Sequence, residues 1–376
     1  MTDVIEKIYL DYNASTPIAP EVSEAMKPYF DAHFGNPSSA HWAGAPAKAA
    51  VETARSQVSD LLGCQPRKVV FTSGGSEANN HALKGVWFAA GGESGHIITT
   101  QVEHPAILSP CAFLERLGAL VTYLPVDSFG VVDPDDVRRA ITPKTVLITA
   151  MHANNEVGTI QPIADISTIA REHGVVFHTD AAQSVGKIST NVDELGVDLL
   201  SVAGHKVYAP KGVGAIYIRS DTQIESFVHG AGHESGRRAG TENVLLNVGL
   251  GKASEAAQEW IGMEAVNKLR DRFWDGLKMK FGDDVSLNGH PTERLPNTLN
   301  VNFVGRNGAE ILAKLEGVAA STGSACHADR IDLSPVLQAM GTPPEVGMGA
   351  IRFSLGRSTT DDEIESVLNR LPDVVR

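Results

Sequence analysis

Two side chains of opposite chemistry follow apolar, strand-like segments in the middle of the chain. Lys206 ends the segment VDLLSVAGHK, and Asp180 ends the segment VVFHTD. Because the carboxyl ends of neighbouring parallel strands meet at one edge of a sheet, the amine and the carboxylate would lie close together there. A lysine amine forms a Schiff base with an aldehyde, and a carboxylate keeps a pyridine nitrogen protonated so that the ring accepts electrons. The pair indicates a pyridoxal phosphate site, although Lys and Asp are also common surface residues at strand ends.

A glycine pair precedes a helix-like segment in TSGGSEANN, residues 72–80. Gly74 and Gly75 would let the backbone approach a ligand closely, and Ser76 offers a hydroxyl group and a helix N-cap. The N–H groups and the positive end of the following helix suit a phosphate. Taken alone, the same segment also describes an ordinary turn from a strand into a capped helix.

Other polar residues also follow predicted strands. His104 comes after HIITTQVE, where an imidazole could lie on the face of a pyridine ring and move protons near neutral pH. His205 adjoins the candidate lysine and could donate to a phosphate. The amides of Asn155 and Gln183 could hydrogen-bond the 3-oxygen of the cofactor, or could only cap loops.

Two further residues stand out against their surroundings. Cys326 lies in ASTGSACHAD, among small residues, which predicts an exposed loop. The neighbouring His327 would favour the reactive thiolate, but an exposed cysteine can also be incidental. Arg352 lies among apolar residues in AIRFSLG, so its guanidinium needs a carboxylate partner. That partner is either an amino-acid substrate or an Asp or Glu of the protein.

The chain of 376 residues is too long for one compact core, so two domains are expected. Apolar β-rich runs alternate with helix-like segments from about residue 68: KVVFT, HIITT, LVTYLPV, TVLITAM, GVVFHTD, VDLLSVAG and GAIYIR. This alternation predicts a large α/β domain over 15–255 with a mainly parallel sheet. A long helix over 253–281, then shorter strands and helices, predict a small α+β domain over 1–14 and 256–376. Thr360 with Glu363 predicts a capping box at the last helix.

Composition argues against several classes of function. The net charge of −13 argues against nucleic acid as a direct partner, because phosphate contacts need clustered Lys and Arg. No apolar run reaches the ~18 residues of a membrane span, and no signal peptide is expected. The 3 cysteines are scattered, which indicates a reducing, cytoplasmic setting without disulfides. The histidines of HGAGH (229–233) stand among glycines, so no metal site is predicted there.

Together these motifs resemble those of the cysteine desulfurases, pyridoxal phosphate enzymes of fold type I that are related to class V aminotransferases. The resemblance covers nearly the whole chain, from YLDYNASTP to IRFSLGRSTT, and includes GNPSS, TSGGSEANN, VEH, HANNEVG, HTDAAQ, GHK, RAGTEN and GSAC. It implies a large domain built on a mainly parallel seven-stranded sheet, with a small α+β domain that carries Cys326 and Arg352. It also implies a homodimer, which periodicity alone does not show.

The resemblance implies a role for each matching residue. Lys206 would bind the cofactor as a Schiff base, Asp180 would face its pyridine nitrogen, and His104 would stack on its ring and take part in catalysis. The phosphate contacts would come from Gly75, Ser76, His205 and Thr241. The last of these would reach across the dimer interface. The ring-side contacts would come from Asn155 and Gln183.

The implied reaction converts L-cysteine to L-alanine. Arg352, with Asn155, would bind the substrate, and the Cys326 thiolate would take up its sulfur as a persulfide for delivery to an acceptor protein. Iron–sulfur cluster assembly, tRNA thiolation and DNA phosphorothioation all begin with such an enzyme, and the sequence does not choose among them.

Two departures and three alternatives accompany this interpretation. Ala203 stands where many relatives have a Ser, which removes one phosphate contact of about 0.5–1.5 kcal/mol. SACHAD also resembles selenocysteine lyases, which act on L-selenocysteine, but Pro105 replaces the acidic residue expected after the histidine in the animal enzymes.

A class V aminotransferase would not need Cys326. A partner-docking subunit that only binds the cofactor would not need the full set of catalytic residues.

Overall fold

The helices and strands come from a computed structural model that describes residues 7–322, 324–327 and 330–375, with 324–327 and 330–332 described as backbone only. The α-helices are α1 (Pro20–Met26), α2 (Gly44–Leu62), α3 (Gly75–Ala89), α4 (Pro105–Glu115), α5 (Pro134–Ala140), α6 (Ile163–Glu172), α7 (Val192–Leu195), α8 (Val244–Ala257), α9 (Glu264–Phe281), α10 (Gly308–Lys314), α11 (Pro335–Ala339), α12 (Pro344–Gly347) and α13 (Asp361–Val374). The strands are β1 (Ile8–Tyr9), β2 (Val69–Thr72), β3 (His96–Thr100), β4 (Leu120–Leu124), β5 (Thr145–Thr149), β6 (Val176–Asp180), β7 (Leu199–Ala203), β8 (Gly214–Ile218), β9 (Val285–Asn288), β10 (Thr298–Phe303), β11 (Val318–Ala319), β12 (Ser321–Thr322), β13 (Ser324–His327), β14 (Arg330–Leu333) and β15 (Ala350–Ser354).

Strands β2 to β8 form the large sheet in the order β2-β8-β7-β6-β5-β3-β4. The pairs from β7 to β4 are parallel, and β8 runs antiparallel to both of its neighbours. Strands β2, β3, β7 and β8 are buried along their whole length, as expected for a sheet covered by helices on both faces. Each of the seven predicted β-rich runs contains one of the strands β2 to β8. The predicted mainly parallel seven-stranded sheet is therefore confirmed.

A smaller antiparallel sheet has the order β12-β15-β10-β9. Its hydrophobic core takes Ile8 and Leu10 from the start of the chain and its other members from Met263 to Val375. Strand β1 pairs with β11 and carries the start of the chain to this core. The domain limits 15–255 and 1–14 with 256–376 stay a prediction.

The long helix predicted over 253–281 is wrong. Helix α8 ends at Ala257 and α9 begins at Glu264. Between them Gly262 and Met263 have φ angles of +90° and +43°, which a right-handed helix does not accommodate. The capping box at the start of α13 is confirmed, because the side chains and main-chain N–H groups of Thr360 and Glu363 bond reciprocally.

The exposed loop predicted around Cys326 is wrong for the backbone. Strands β13 and β14 form an antiparallel hairpin in which Cys326 lies opposite Ile331. Ladder hydrogen bonds use main-chain groups, which Ser, Ala and Cys supply as well as apolar residues, so the composition did not reveal the hairpin. The Cys326 thiol, its exposure and the predicted effect of His327 lie outside the described residues. In the described part of the chain, no helix is long and apolar enough to cross a membrane.

Candidate active site

A cavity of about 370 Å³ opens at the carboxyl edge of the large sheet. Its wall is built from residues that follow β5, β6 and β7, from the first turn of α3, and from β15. Its volume lies in the range of small-molecule sites. The sequence-predicted residues that line it are Gly75, Ser76, His104, Asn155, Asp180, Gln183, His205, Lys206 and Arg352.

Lys206 lies on the tight turn Gly204–Lys206, one turn of 3-10 helix beyond β7, so the prediction that it ends the strand is wrong. Gly204 permits this turn because a Cβ there would lie 2.8 Å from the carbonyl oxygen of Val213. The Nζ of Lys206 donates to the carbonyl oxygens of Asn13 and Ala14, at 2.6 and 2.8 Å. Burial, aided by the positive charge of Arg352, lowers its pKa to about 8. A fraction of the amine is therefore uncharged near neutral pH, in the form that attacks an aldehyde.

Asp180 ends β6, as predicted, and is 5% exposed. One carboxylate oxygen accepts from Nδ2 of Asn79 at 2.7 Å, and the other from the N–H of Ala182 at 2.9 Å. These two donors fix the direction of the carboxylate. Asn79 was not selected from the sequence. Its position in TSGGSEANN could have revealed it, because it lies one helical turn after Gly75 and on the same face of α3.

His104 is the N-cap of α4 and lies beyond the end of β3. Its Nδ1 accepts from the N–H of Ala106 at 3.0 Å, so a neutral ring carries its proton on Nε2. Burial lowers the pKa of His104, while the negative charge of Asp180 opposes this change. The cavity therefore contains a neutral imidazole with a fixed tautomer.

The start of α3 forms another part of the wall. Gly74 is the N-cap, with φ of 147°, and no side chain caps the helix, so the prediction of Ser76 as N-cap is wrong. A Cβ on Gly75 would lie 3.1 Å from the Cβ of Ala203, which explains why this close contact has a glycine. His205 lies nearby in the wall, and burial lowers its pKa to about 4. Its Nδ1 is buried and has no hydrogen-bond partner in the described part of the chain.

Arg352 projects from β15, is 8% exposed and lines the cavity. Its Nη1 donates to the carbonyl oxygen of Asn155 at 2.9 Å, and its Nη2 to Asp11 at 2.8 Å and Ser321 at 2.9 Å. The sequence left open whether its carboxylate partner belongs to the protein, and Asp11 is such a partner. Its Nε has no hydrogen-bond partner among the residues that the structure describes. The predicted contact with the substrate stays a prediction.

Asn13 connects several of these groups and was not selected from the sequence. Its carbonyl oxygen accepts from Lys206 and also from Nε2 of Gln183, at 2.9 Å. Its own amide is held by Thr298 at 2.8 Å and by Asn297 at 3.0 Å. The motif YLDYNASTP contains Asn13, but no spacing within the motif points to a contact with residues so far along the chain.

One predicted site residue, Thr241, is not brought together with the others. Thr241 lines a separate cavity with Arg238 and Glu242. The side chain of Cys326 lies outside the described residues. Within the part of the chain that the structure describes, no cluster of His, Cys, Asp and Glu has the arrangement of a metal site.

Three features of the cavity match three chemical groups of pyridoxal phosphate. The uncapped N-terminus of α3 and the unpartnered Nδ1 of His205 suit a phosphate. The fixed carboxylate of Asp180 suits a protonated pyridine nitrogen. The lowered pKa of Lys206 suits an amine that must react with an aldehyde.

Comparisons with known proteins agree with this interpretation. The sequence profile of the family "Aminotransferase class-V" matches residues 8–367. The chain is 49% identical to "Cysteine desulfurase IscS" of Dictyoglomus turgidum over 98% of this chain and 94% of that protein.

Solved structures show the same likeness. A structure described as "NIFS-LIKE PROTEIN" has a TM-score of 0.92 and 36% identity, covering 98% of this chain and 99% of that chain. One described as "SspA in complex with cysteine" has a TM-score of 0.84 and 41% identity, covering 93% and 98%. Proteins of this family use pyridoxal phosphate. The chain therefore belongs to the class-V aminotransferase family, and within it to the cysteine desulfurases.

Proposed function

We propose that the protein removes the sulfur atom from L-cysteine, leaves L-alanine, and takes up the sulfur on Cys326 as a persulfide for delivery to an acceptor protein. The observation that carries this proposal is the cavity that combines the Lys206 amine, the Asp180 carboxylate and the neutral His104. The likeness to a solved structure described as a complex with cysteine supports the choice of substrate.

The first requirement is to hold the cofactor. Gly75, Ser76 and His205 would contact the phosphate of the cofactor, and Asp180 would keep its pyridine nitrogen protonated. When bound, pyridoxal phosphate supplies an aldehyde for the covalent link and a ring that accepts electrons. His104 and Gln183 limit the position of the ring, and Asn79 keeps Asp180 aligned through its 2.7 Å hydrogen bond.

Lys206 is the proton-transfer group. The free amine would remove the α-proton of the substrate, and a pKa of about 8 keeps a usable fraction of it uncharged at neutral pH. The carbonyl oxygens of Asn13 and Ala14 hold the released amine in place by two hydrogen bonds. Such general acid–base steps contribute about 10²–10⁴-fold to the rate.

Arg352 binds the carboxylate of the substrate in this proposal. Asp11, Ser321 and the carbonyl oxygen of Asn155 hold the guanidinium in a fixed orientation before substrate arrives. A pre-ordered guanidinium loses little entropy on binding a carboxylate.

Sulfur transfer requires Cys326. Its thiolate attacks the sulfur of the substrate, so an S–S bond forms and the Cβ–S bond breaks. The electron pair of the broken bond stays with the substrate carbon, which a proton converts to alanine. The short separation in the sequence supports this role, because Ser321, which contacts Arg352, precedes the cysteine by only five residues. Five extended residues span at most about 17 Å.

The test is the release of products from L-cysteine in the presence of a thiol, with L-selenocysteine as a second substrate. Wild type should give equal sulfide and alanine, and Cys326→Ala should give neither from L-cysteine. Full activity in Cys326→Ala would contradict the persulfide role. Activity on L-selenocysteine alone would make the protein a selenocysteine lyase, and a keto acid product would make it an aminotransferase.

We propose in addition that the protein is a cytoplasmic homodimer. Phe30, Phe34 and Trp42 are 68%, 74% and 82% exposed, and a covering surface would remove these aromatic rings from water. Thr241 lies outside the cavity of its own chain, as a contact with a partner's cofactor requires. Light scattering should give twice the 40.0 kDa chain mass. A mass of one chain for the protein with bound cofactor would contradict the dimer.

A further inference from the structure

A second lysine, Lys187, lies behind the cavity and has no part in the proposed chemistry. Its side chain is buried, and its Nζ donates to Oε1 of Gln183 at 2.9 Å and to Oδ1 of Asn13 at 3.2 Å. Both partners are neutral amides, whereas a buried charged amine needs an acidic partner. Burial, with the positive charges of Lys206 and Arg352, holds the pKa of Lys187 well below its usual range. A neutral amine has two N–H groups, which matches the two acceptors.

The contacts of Lys187 determine which end of the Gln183 amide faces the cavity. Oε1 of Gln183 accepts from Lys187, while Nε2 donates to the carbonyl oxygen of Asn13 at 2.9 Å. Turning the amide around would place one oxygen against another at Asn13. Because Nε2 carries two hydrogens, one remains after the bond to Asn13. Gln183 lines the cavity, so this second N–H is available to a bound ligand.

Lys187 is also connected to the reactive amine of Lys206 through a single residue, Asn13. Asn13, whose side-chain oxygen it contacts, uses its carbonyl oxygen to accept from Lys206 at 2.6 Å. Asn297 holds the same side-chain oxygen of Asn13 from another side at 3.0 Å. Lys187 is thus a shared support for Gln183 and Asn13, and it does not itself line the cavity.

We propose that Lys187 is a positioning residue that holds Gln183 with its N–H directed at the ring oxygen of bound pyridoxal phosphate. A donated N–H stabilises the anionic form of that oxygen and lowers the pH at which the bound cofactor loses its proton. The proposal rests on the family's cofactor and on the contact of Gln183 with it.

The test follows the visible absorbance of the bound cofactor between pH 6 and 10, which reports its protonation without turnover. Lys187→Met keeps the length of the side chain but removes the donor. We expect the midpoint pH to rise by about 0.4–1 unit, the effect of losing one hydrogen bond. Gln183→Ala should raise it by a similar amount.

A double variant separates positioning from a general effect on the fold. If Lys187 acts through Gln183, adding Lys187→Met to Gln183→Ala should produce no further shift. An unchanged midpoint in Lys187→Met, or shifts that add in the double variant, would overturn the proposal. If Lys187→Met does not fold, Lys187→Gln takes its place, because its shorter side chain cannot reach both acceptors. A raised midpoint that Gln183→Ala does not increase further supports the proposal, and an unchanged midpoint overturns it.

The same measurement separates this inference from the proposed function. Wild type that never develops the cofactor band would contradict the cofactor contacts on which both depend. Wild type with a normal band and normal product release, combined with an unchanged midpoint in Lys187→Met, would contradict only the role of Lys187.

Discussion

The carboxyl edge of the large sheet and the hairpin that carries Cys326 are built in different ways. At the sheet edge, Asp180 ends a buried strand and Lys206 lies on the turn that follows another. The Asp180 carboxylate accepts a hydrogen bond from Asn79, and the Lys206 amine donates one to Asn13. The hairpin consists of two four-residue strands that, among the described residues, pair with each other and not with either larger sheet.

The difference matches the chemistry proposed for each region. Proton transfer and cofactor binding require atoms held within a fraction of an ångström, which a buried parallel sheet provides. A sulfur carrier must meet both the substrate and an outside acceptor, which a separate two-stranded element allows better than a strand of the large sheet. Substitutions should therefore affect the two regions in different observables.

The largest expected effect separates cofactor chemistry from sulfur transfer. Lys206→Ala should lose the covalent link to the cofactor and lower turnover by about 10²–10⁴-fold, because the same amine moves the α-proton. Cys326→Ala should retain the covalent link, since the residues proposed to hold the cofactor belong to the cavity at the sheet edge. The absorbance of the purified proteins and single-turnover alanine release measure both properties. A normal absorbance band of the covalently bound cofactor in Lys206→Ala would contradict the assignment of the covalent link to the sheet edge.

A smaller effect should follow from Asn79→Ala. Its hydrogen bond to the buried carboxylate of Asp180 is charge-assisted, a type worth about 1.5–3 kcal/mol, so cofactor affinity or turnover should fall by about 10- to 100-fold. The matched control is Asn80→Ala, whose amide donates to the carbonyl oxygen of Ser76 on the exposed side of the same helix. Equal losses in the two variants would mean that α3 is merely destabilised.

Much of the sheet edge could be predicted from the sequence, for a physical reason. Strands buried on both faces are continuous apolar runs. The sequence alone therefore shows where such a strand ends and which polar residue, such as Asp180, stands at its end. The sequence did not predict that Lys206 lies on a 3-10 turn beyond the strand, because the composition of Gly204–Lys206 fits a turn and a strand end equally well.

The missed residues share a different property. Asn13 and Asn79 contact residues distant in the sequence, and the side-chain bond from Asn13 to Thr298 spans 285 positions. Lys187 likewise contacts Asn13, which lies 174 positions away. Periodicity reports which face of an element is buried, but it carries no information on which buried amide will meet which amine. The Cys326 hairpin was missed because its ladder depends on main-chain groups.

The pKa of Lys206 gives a prediction for the protein freed of its cofactor. With a pKa of about 8, roughly a tenth of the amine is uncharged at pH 7, about half at pH 8 and about nine-tenths at pH 9. Recombination with pyridoxal phosphate should therefore accelerate by about fivefold from pH 7 to 8 and by less than about twofold from pH 8 to 9. Stopped-flow absorbance measures this. A free alkylamine with a pKa near 10.4 is the control and should not level off in this range. The same rise in both would show that the sheet edge does not activate its amine.

The smallest expected effect comes from Ala203→Ser, which tests how complete the phosphate site is. Ala203 lines the cavity beside the start of α3, where a Cβ on Gly75 would lie 3.1 Å from its own Cβ. A hydroxyl added there can donate to the phosphate, so cofactor affinity should rise by about two- to fivefold, the lower part of what one hydrogen bond contributes. Ala203→Cys is the control, because it has nearly the same size and only a weak donor. Equal gains in the two variants would indicate better packing. No gain with Ser would mean that the helix N-terminus and His205 already satisfy the phosphate, and that alanine at this position costs the protein nothing.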